Sequence, residues 1–232
     1  MKNVRRGYCA EDTVLFGEEA CRILTRCADD IKYLLERGYP FRSALTFVCN
    51  HFLLQERQRN ALLRVCASEE MLAQRRAKQL NELVDGCSVH VDAFNAVILM
   101  ETALSGSMLL KGRDGCYRDL SGLAGTYAVI EKTDPAIERI IRRLQEHKVG
   151  DAVFWVDAPV SNSGRLKSHI AEKAEELGFP VDIRMVHNAD TELKKQANVI
   201  SGDSAVIAEC CSWYNLYEEL IADIPGAWVC EF

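Results

Sequence analysis

Four aspartates in the second part of the chain stand just past expected strands. Asp92 closes the run 88–91, Asp157 closes 152–156, Asp190 follows 181–186, and Asp203 follows 197–200 inside Ser201-Gly202-Asp203-Ser204. Carboxylates within a few ångströms raise one another's pKa, so four of them at one place call for a cation. Hard oxygen donors of this kind suit Mg²⁺ or Mn²⁺. Singly, each acid is also an ordinary helix N-cap: Asp203 precedes Ser204 and Asp190 precedes Thr191. The expectation that they act together rests on their shared position at strand ends, and it makes all four both metal ligands and catalytic residues.

A second feature is the octapeptide DAPVSNSG at 157–164, lying between the apolar run 152–156 and a helical pattern over 165–177. Its Ser161, Asn162, Ser163 and Gly164 would offer hydroxyls and backbone N–H groups at a helix N-terminus, a natural seat for phosphate. Ser163 as a simple cap, with Gly164 in a tight turn, explains the same residues without a ligand.

The elements that must position these residues change character along the chain. Apolar residues recur with a 3.6 period over 16–35, and Gly38 and Pro40 then end that pattern. Further helical patterns cover 44–54 and 61–65, and Ser68 with Glu69 and Glu70 marks another start. From residue 87 strands alternate with helices. Strands are expected over 87–92, 152–157, 181–186 and 197–200. Helices are expected over 95–104, 133–147, 165–177, 191–195 and 204–220. A hairpin spans 107–119 around Asp114-Gly115, and a last strand covers 228–232. The reading is a helical domain over 1–84 and an α/β domain over 85–232 with a mostly parallel sheet. Open parallel sheets bind ligands at the carboxyl ends of their strands, where the four aspartates stand.

Composition narrows the class. The chain has 232 residues, is 48% hydrophobic and 27% charged, and carries a net charge of −6, ordinary values for a globular protein. No apolar run approaches the roughly 18 residues of a membrane span, and no secretion signal is visible, so a cytoplasmic protein without a membrane partner is expected. Ten cysteines include no C-x-x-C pair; they read as packed thiols of a reducing compartment. Residues 1–90 carry 14 basic and 12 acidic side chains, whereas residues 91–232 carry 14 and 22. The acid is thus concentrated in the half that holds the four aspartates, where a cation could neutralise it. Two basic stretches of the helical half, Gln55, Arg57, Gln58, Arg59 and Arg64, and then Arg75, Arg76 and Lys78, are either solvated faces or the groups that would meet a nucleic-acid backbone.

Two stretches resemble PIN-like nucleases of the NYN type. VDAFNAV (91–97) is similar to their opening strand, which ends in Asp with an Asn three residues later, here Asn95. ISGDSAVI (200–207) is similar to their Ser-Gly-Asp-Ser motif, and Asp190 in NADTELKK sits where that family places an Asp. The family carries a second Asp two residues after the Ser-Gly-Asp; this chain has Ala205. The chain also resembles a two-part prokaryotic family carrying domain of unknown function 434, through RGYPFRSALTFVCNHFLLQERQRNALLRV (37–65), DGCYRDLSG (114–122) and DAPVSNSG.

The PIN-like resemblance implies a three-layer α/β domain over 85–232 that hydrolyses phosphodiester bonds, with RNA as the partner. In that reading Asp92, Asp157, Asp190 and Asp203 hold Mg²⁺ or Mn²⁺, which lowers the pKa of a bound water. Asn95 positions an acid or the phosphate. Ser161, Asn162, Ser163, Gly164, Ser201 and Arg118 contact phosphate oxygens. Two rivals stay open: a nucleotide- or RNA-binding scaffold without chemistry, suggested by Ala205, and a phosphatase acting on a small phosphorylated metabolite. Glu101 would join the site only if its helix leans over the sheet edge, and Asp119 could join the acids. His51, His90 and His187 read as structural.

Overall fold

The structure, a computed structural model, describes residues 4–122 and 125–232. The first part is helical: α1 (Asp12–Leu15), α2 (Glu18–Glu36), α3 (Phe41–His51), α4 (Glu56–Val65) and α5 (Glu69–Arg76). Their apolar faces, among them Leu24, Cys27, Ile31, Val48, Leu62 and Val65, form one core. Arg57 closes this half by pairing with the buried Asp12, Nη2 to Oδ2 at 2.7 Å.

A short strand, β1 (Gln79–Leu80), leads into the α/β part. There follow β2 (Ser88–Asp92), α6 (Ala93–Leu104), β3 (Leu109–Lys111), β4 (Tyr117–Asp119), α7 (Thr133–Glu146), β5 (Asp151–Asp157), α8 (Ser163–Leu177) and β6 (Val181–Val186). The chain ends with α9 (Ala189–Leu193), β7 (Val199–Ile200), α10 (Ser204–Glu209), β8 (Trp213–Tyr214), α11 (Leu216–Ala222) and β9 (Val229–Glu231). Six strands form a sheet in the order β1-β8-β7-β2-β5-β6, and every pairing in it is parallel.

Strand alternation serves two covering layers. Val89, Val91, Phe154, Val156 and Ile200 face the larger core with residues of α6, α7, α8 and α11. Val153, Trp155, Val199 and Trp213 face a thinner one with residues of α9 and α10. The architecture is therefore a mostly parallel α/β sheet covered by helices, preceded by a helical region.

The hairpin β3–β4 does not join this sheet. It forms a three-stranded sheet with the terminal strand, in the order β4-β3-β9. Leu109 on β3 belongs to the larger core of the α/β part, and its neighbour Leu110 belongs to the core of the helical part. The small sheet thus separates two cores and seals both, because successive side chains point to opposite faces.

One expectation fails here. The residues 204–220 are not one helix: α10 stops at Glu209, β8 follows, and α11 starts at Leu216. Val206, Ile207, Cys210, Trp213 and Tyr217 keep a near-helical spacing, so periodicity conceals the break. Pairing decides it. Trp213 aligns with Val199 on one side and Gln79 on the other, and its indole N–H donates to the Arg75 carbonyl at 2.8 Å.

Candidate functional site

The centre of the sheet is where the chain changes direction. From β2 it builds outward through β5 and β6, then crosses to β7 and β8 on the other flank. The crevice beyond the carboxyl ends at such a switch point is where open α/β sheets bind ligands. Asp92 is the last residue of β2 and the N-cap of α6, its Oδ1 accepting the Asn95 N–H at 3.3 Å. Its Oδ2 accepts the Ser201 hydroxyl at 2.8 Å. Only 6% of Asp92 is exposed. Burial pushes its carboxyl up to about 7, and the charges of Asp190 and Asp203 add to that, against the Ser201 hydrogen bond.

The loop after β7 supplies the next acid. Ser201 Oγ also accepts the Asp203 N–H at 3.1 Å, so one buried hydroxyl ties two of the acids together. Asn95 Oδ1 accepts the Gly202 N–H at 2.7 Å and the Tyr217 hydroxyl at 3.1 Å. Asp203 caps α10, its Oδ1 accepting from Ala205 N at 2.7 Å and Val206 N at 3.1 Å. Gly202 is required at its place: a Cβ there would lie 2.6 Å from the Tyr117 carbonyl oxygen.

Asp157 ends β5 and uses its Oδ1 to accept the Ala189 N–H at 2.8 Å, which fixes the start of α9. Asp190, half-buried on that helix, has its carboxyl raised by burial first and then by the charges of Asp203 and Asp157. The four aspartates therefore form one electrostatic group: Asp92 feels Asp190 and Asp203, and Asp190 feels Asp203 and Asp157. Asp157, Asp190 and Asp203 are each partly open to solvent, whereas Asp92 is buried.

Sequence reading missed Lys194, whose charge lowers Asp190 and which donates to Glu209 at 2.9 Å. Its signal was the four-residue spacing from Asp190 on a short helix. Among the described residues, no three of His, Cys, Asp and Glu are placed to hold a metal ion together. The donor set nonetheless suits Mg²⁺, which keeps several waters and takes only one or two carboxylates directly. Asp157 and Asp203 each use a single oxygen to accept backbone N–H groups.

Several expected roles change. Ser161, Asn162 and Ser163 donate to backbone carbonyls: Ser161 to Gly125 at 3.3 Å, Asn162 to Tyr127 at 2.6 Å and Ser163 to Ala158 at 3.1 Å. The 157–164 turn thus holds the segment around Thr126, which bridges to Ser161 as a parallel partner. Asn162 takes a left-handed conformation, φ 63°, to make this turn. Gly164 faces open space.

Arg118 is not available to phosphate. It is 4% exposed, grips Asp114 with Nη1 at 2.9 Å and Nη2 at 2.6 Å, and donates from Nε to the Gly202 carbonyl at 2.9 Å. Ser201 is spent on the two acids rather than on a ligand, and Asn95 holds their loop. Glu101 does not reach the site. It is fully buried between Tyr127, Thr133 and Arg6. Asp119 accepts from Ser121 N at 2.7 Å and acts by its charge on Arg57. His90 packs against Trp155, whose Nε1 donates to it at 3.2 Å.

The basic stretches of the helical half are largely occupied. Arg57 holds Asp12 and two carbonyls, Arg59 donates to the Leu54 and Cys49 carbonyls, Arg75 is buried on Asp114, and Lys78 donates to the Ala208 carbonyl.

Two family models match this chain. One, "Domain of unknown function (DUF5616)", covers residues 81–219. The chain belongs to this family. The other, "Protein of unknown function (DUF434)", covers residues 23–78. The motifs DGCYRDLSG and DAPVSNSG thus fall in the 81–219 match, and only the 37–65 stretch falls in the 23–78 match. The "Uncharacterized protein MJ0935" of Methanocaldococcus jannaschii is 33% identical over 186 residues, which span 79% of this chain and 88% of that relative. No solved structure matches the chain. Among the described residues no helix is long and apolar enough to cross a membrane.

Proposed function

We propose that this chain is a metal-dependent phosphodiesterase that cleaves RNA, with its centre at Asp92, Asp157, Asp190 and Asp203. The observation that supports this most is geometric: the buried Asp92 at the end of β2 shares the Ser201 hydroxyl with the Asp203 amide at the switch point of a parallel sheet, and Asp157 at the end of β5 holds the start of the helix that carries Asp190. A divalent ion would supply Lewis acidity at the scissile phosphate and a water of lowered pKa. One or two of Asp92, Asp190 and Asp203 would hold Mg²⁺ or Mn²⁺ directly and the rest through its waters, and Asp157, pinned by the Ala189 N–H, would orient the attacking water. Ser201 keeps the Asp92 carboxylate turned toward Asp203, and Asn95 keeps the Asp203 loop in place. Lys194, at the rim, would meet a phosphate oxygen by leaving Glu209. A PIN-like ancestry of the α/β part belongs to the same proposal. Ten unpaired thiols suit a reducing cytoplasm.

A second reading has its own support. Arg57, Arg59, Arg75 and Arg118 are spent inside the protein, which favours a small phosphorylated metabolite over a long polymer. The experiment is calorimetric titration with Mn²⁺ and Mg²⁺ of wild type and Asp92→Asn. Cleavage of single-stranded RNA and of small phosphate esters by wild type, Asp92→Asn and Asp203→Asn follows. Metal binding lost in Asp92→Asn, with RNA cleavage lost in both variants, is the expected result. Cleavage of small esters alone selects the second reading. Absence of metal binding by wild type overturns both.

A further inference from the structure

The helical half and the loop that carries Asp203 are joined by a buried chain of charges. Arg75, the seventh residue of α5, donates from Nη1 to Asp114 Oδ2 at 2.7 Å. Asp114 lies in the β3–β4 turn, and its two oxygens also receive both terminal nitrogens of Arg118, at 2.9 and 2.6 Å. Arg118 Nε then reaches the Gly202 carbonyl at 2.9 Å. All three side chains are almost wholly enclosed: 4% exposed for each arginine and 1% for the aspartate. A second tie runs parallel, from the Arg75 carbonyl to the Trp213 indole N–H at 2.8 Å.

We propose that Arg75, a residue of the helical half, is a positioning residue for the acid site: through Asp114 and Arg118 it sets the Ser201-Gly202-Asp203 loop. The proposal rests on the functional reading above for its link to metal, and on the hydrogen bonds alone for its link to the loop.

Three physical points support it. Buried ion networks add little net stability over apolar packing, so this one is better explained by the geometry it enforces. Two guanidiniums on one carboxylate leave a surplus positive charge, and the charge of Asp203 favours the charged form of Arg118. That surplus bears on the Gly202 carbonyl, next to Asp203 in the chain. Finally, both backbone groups of Gly202 are held, its N–H by Asn95 and its carbonyl, in the peptide shared with Asp203, by Arg118, so moving Arg118 moves Asp203.

The test compares full-length wild type, Arg75→Met and Arg75→Lys by amide hydrogen exchange and by Mn²⁺ calorimetry. In Arg75→Met the Gly202 and Asp203 amides are expected to exchange at least ~10-fold faster while those of β5 keep their protection. Mn²⁺ affinity falls ~10-fold, the effect of losing a group that orients metal ligands. Arg75→Lys, which retains one donor to Asp114, recovers part of both. Unchanged exchange at 202–203 in a folded variant overturns the proposal, as does faster exchange spread evenly over the chain. If wild type binds no Mn²⁺, the functional reading fails, and the exchange result alone decides the positioning role.

Discussion

Asp92→Asn should make the metal-free protein more stable at alkaline pH. The wild-type carboxyl goes from an ordinary 3.8 to about 7 on folding. At about 1.4 kcal/mol per pH unit, ionising it in the folded state costs up to about 4 kcal/mol. Side-chain adjustment and water entry relieve part of this, leaving about 2 kcal/mol as a working value. The sign follows from proton counting. Between pH 3.8 and 7 the folded state holds a proton that the unfolded state has lost, so stability falls as pH rises through this window and stays low above it. Asparagine keeps the shape and the cap, since its oxygen accepts the Asn95 N–H and asparagine is as good an N-cap as aspartate. Its amide can donate to Ser201, whose oxygen already accepts from Asp203. In EDTA at pH 8 the variant should therefore melt ~4–8 °C above wild type, at ~2–4 °C per kcal/mol for a chain of this size, with the two converging near pH 4. Adding Mn²⁺ at 100 times its Kd should raise wild type by about 2.7 kcal/mol and leave the variant unmoved. The assay is differential scanning calorimetry from pH 4 to 8, with and without Mn²⁺. A variant that melts at or below wild type at pH 8, or a difference that does not grow with pH, would refute the claim that Asp92 is a strained, buried acid.

Gly202→Ala forces a methyl to within 2.6 Å of a backbone oxygen; a loss of ~1–3 kcal/mol in urea unfolding is expected, with Mn²⁺ affinity falling as the loop shifts. Ser201→Ala removes the donor to Asp92 and the acceptor for the Asp203 N–H. It should cost ~1–3 kcal/mol, more at pH 8 than at pH 5 because the lost bond is stronger to an ionised carboxylate, and paired urea titrations at the two pH values check this.

Much of the scaffold was legible along the chain because it depends on local pattern. An apolar run closed by an acid marked β5, alternation of apolar and polar residues marked β2 and β6, and the 3.6 period marked α2. Asp92 and Asp203 were legible as cap positions at the sheet's edge, since a cap at a strand's end stands at that edge. Arg118 was misread because an exposed phosphate ligand and a buried guanidinium look alike until the carboxylate opposite, Asp114, is seen to turn back onto it. Lys194 was overlooked because a five-residue helix has too little periodicity to show which side it presents.

The sequence by itself determined the alternation of strands and helices, the helical opening, and the acids at the strand ends, because hydrophobic period and capping chemistry act within a few residues. Only the tertiary structure decided which acids meet. It placed β7 beside β2, brought Ser201 onto Asp92, broke the 204–220 pattern to let Trp213 pair with β1 and β7, and closed Arg75, Asp114 and Arg118 into one network. Arg75 and Asp114 are 39 positions apart in the chain, and Asp92 and Ser201 are 109 apart. Burial and mutual charge arise only when such distant segments are folded together.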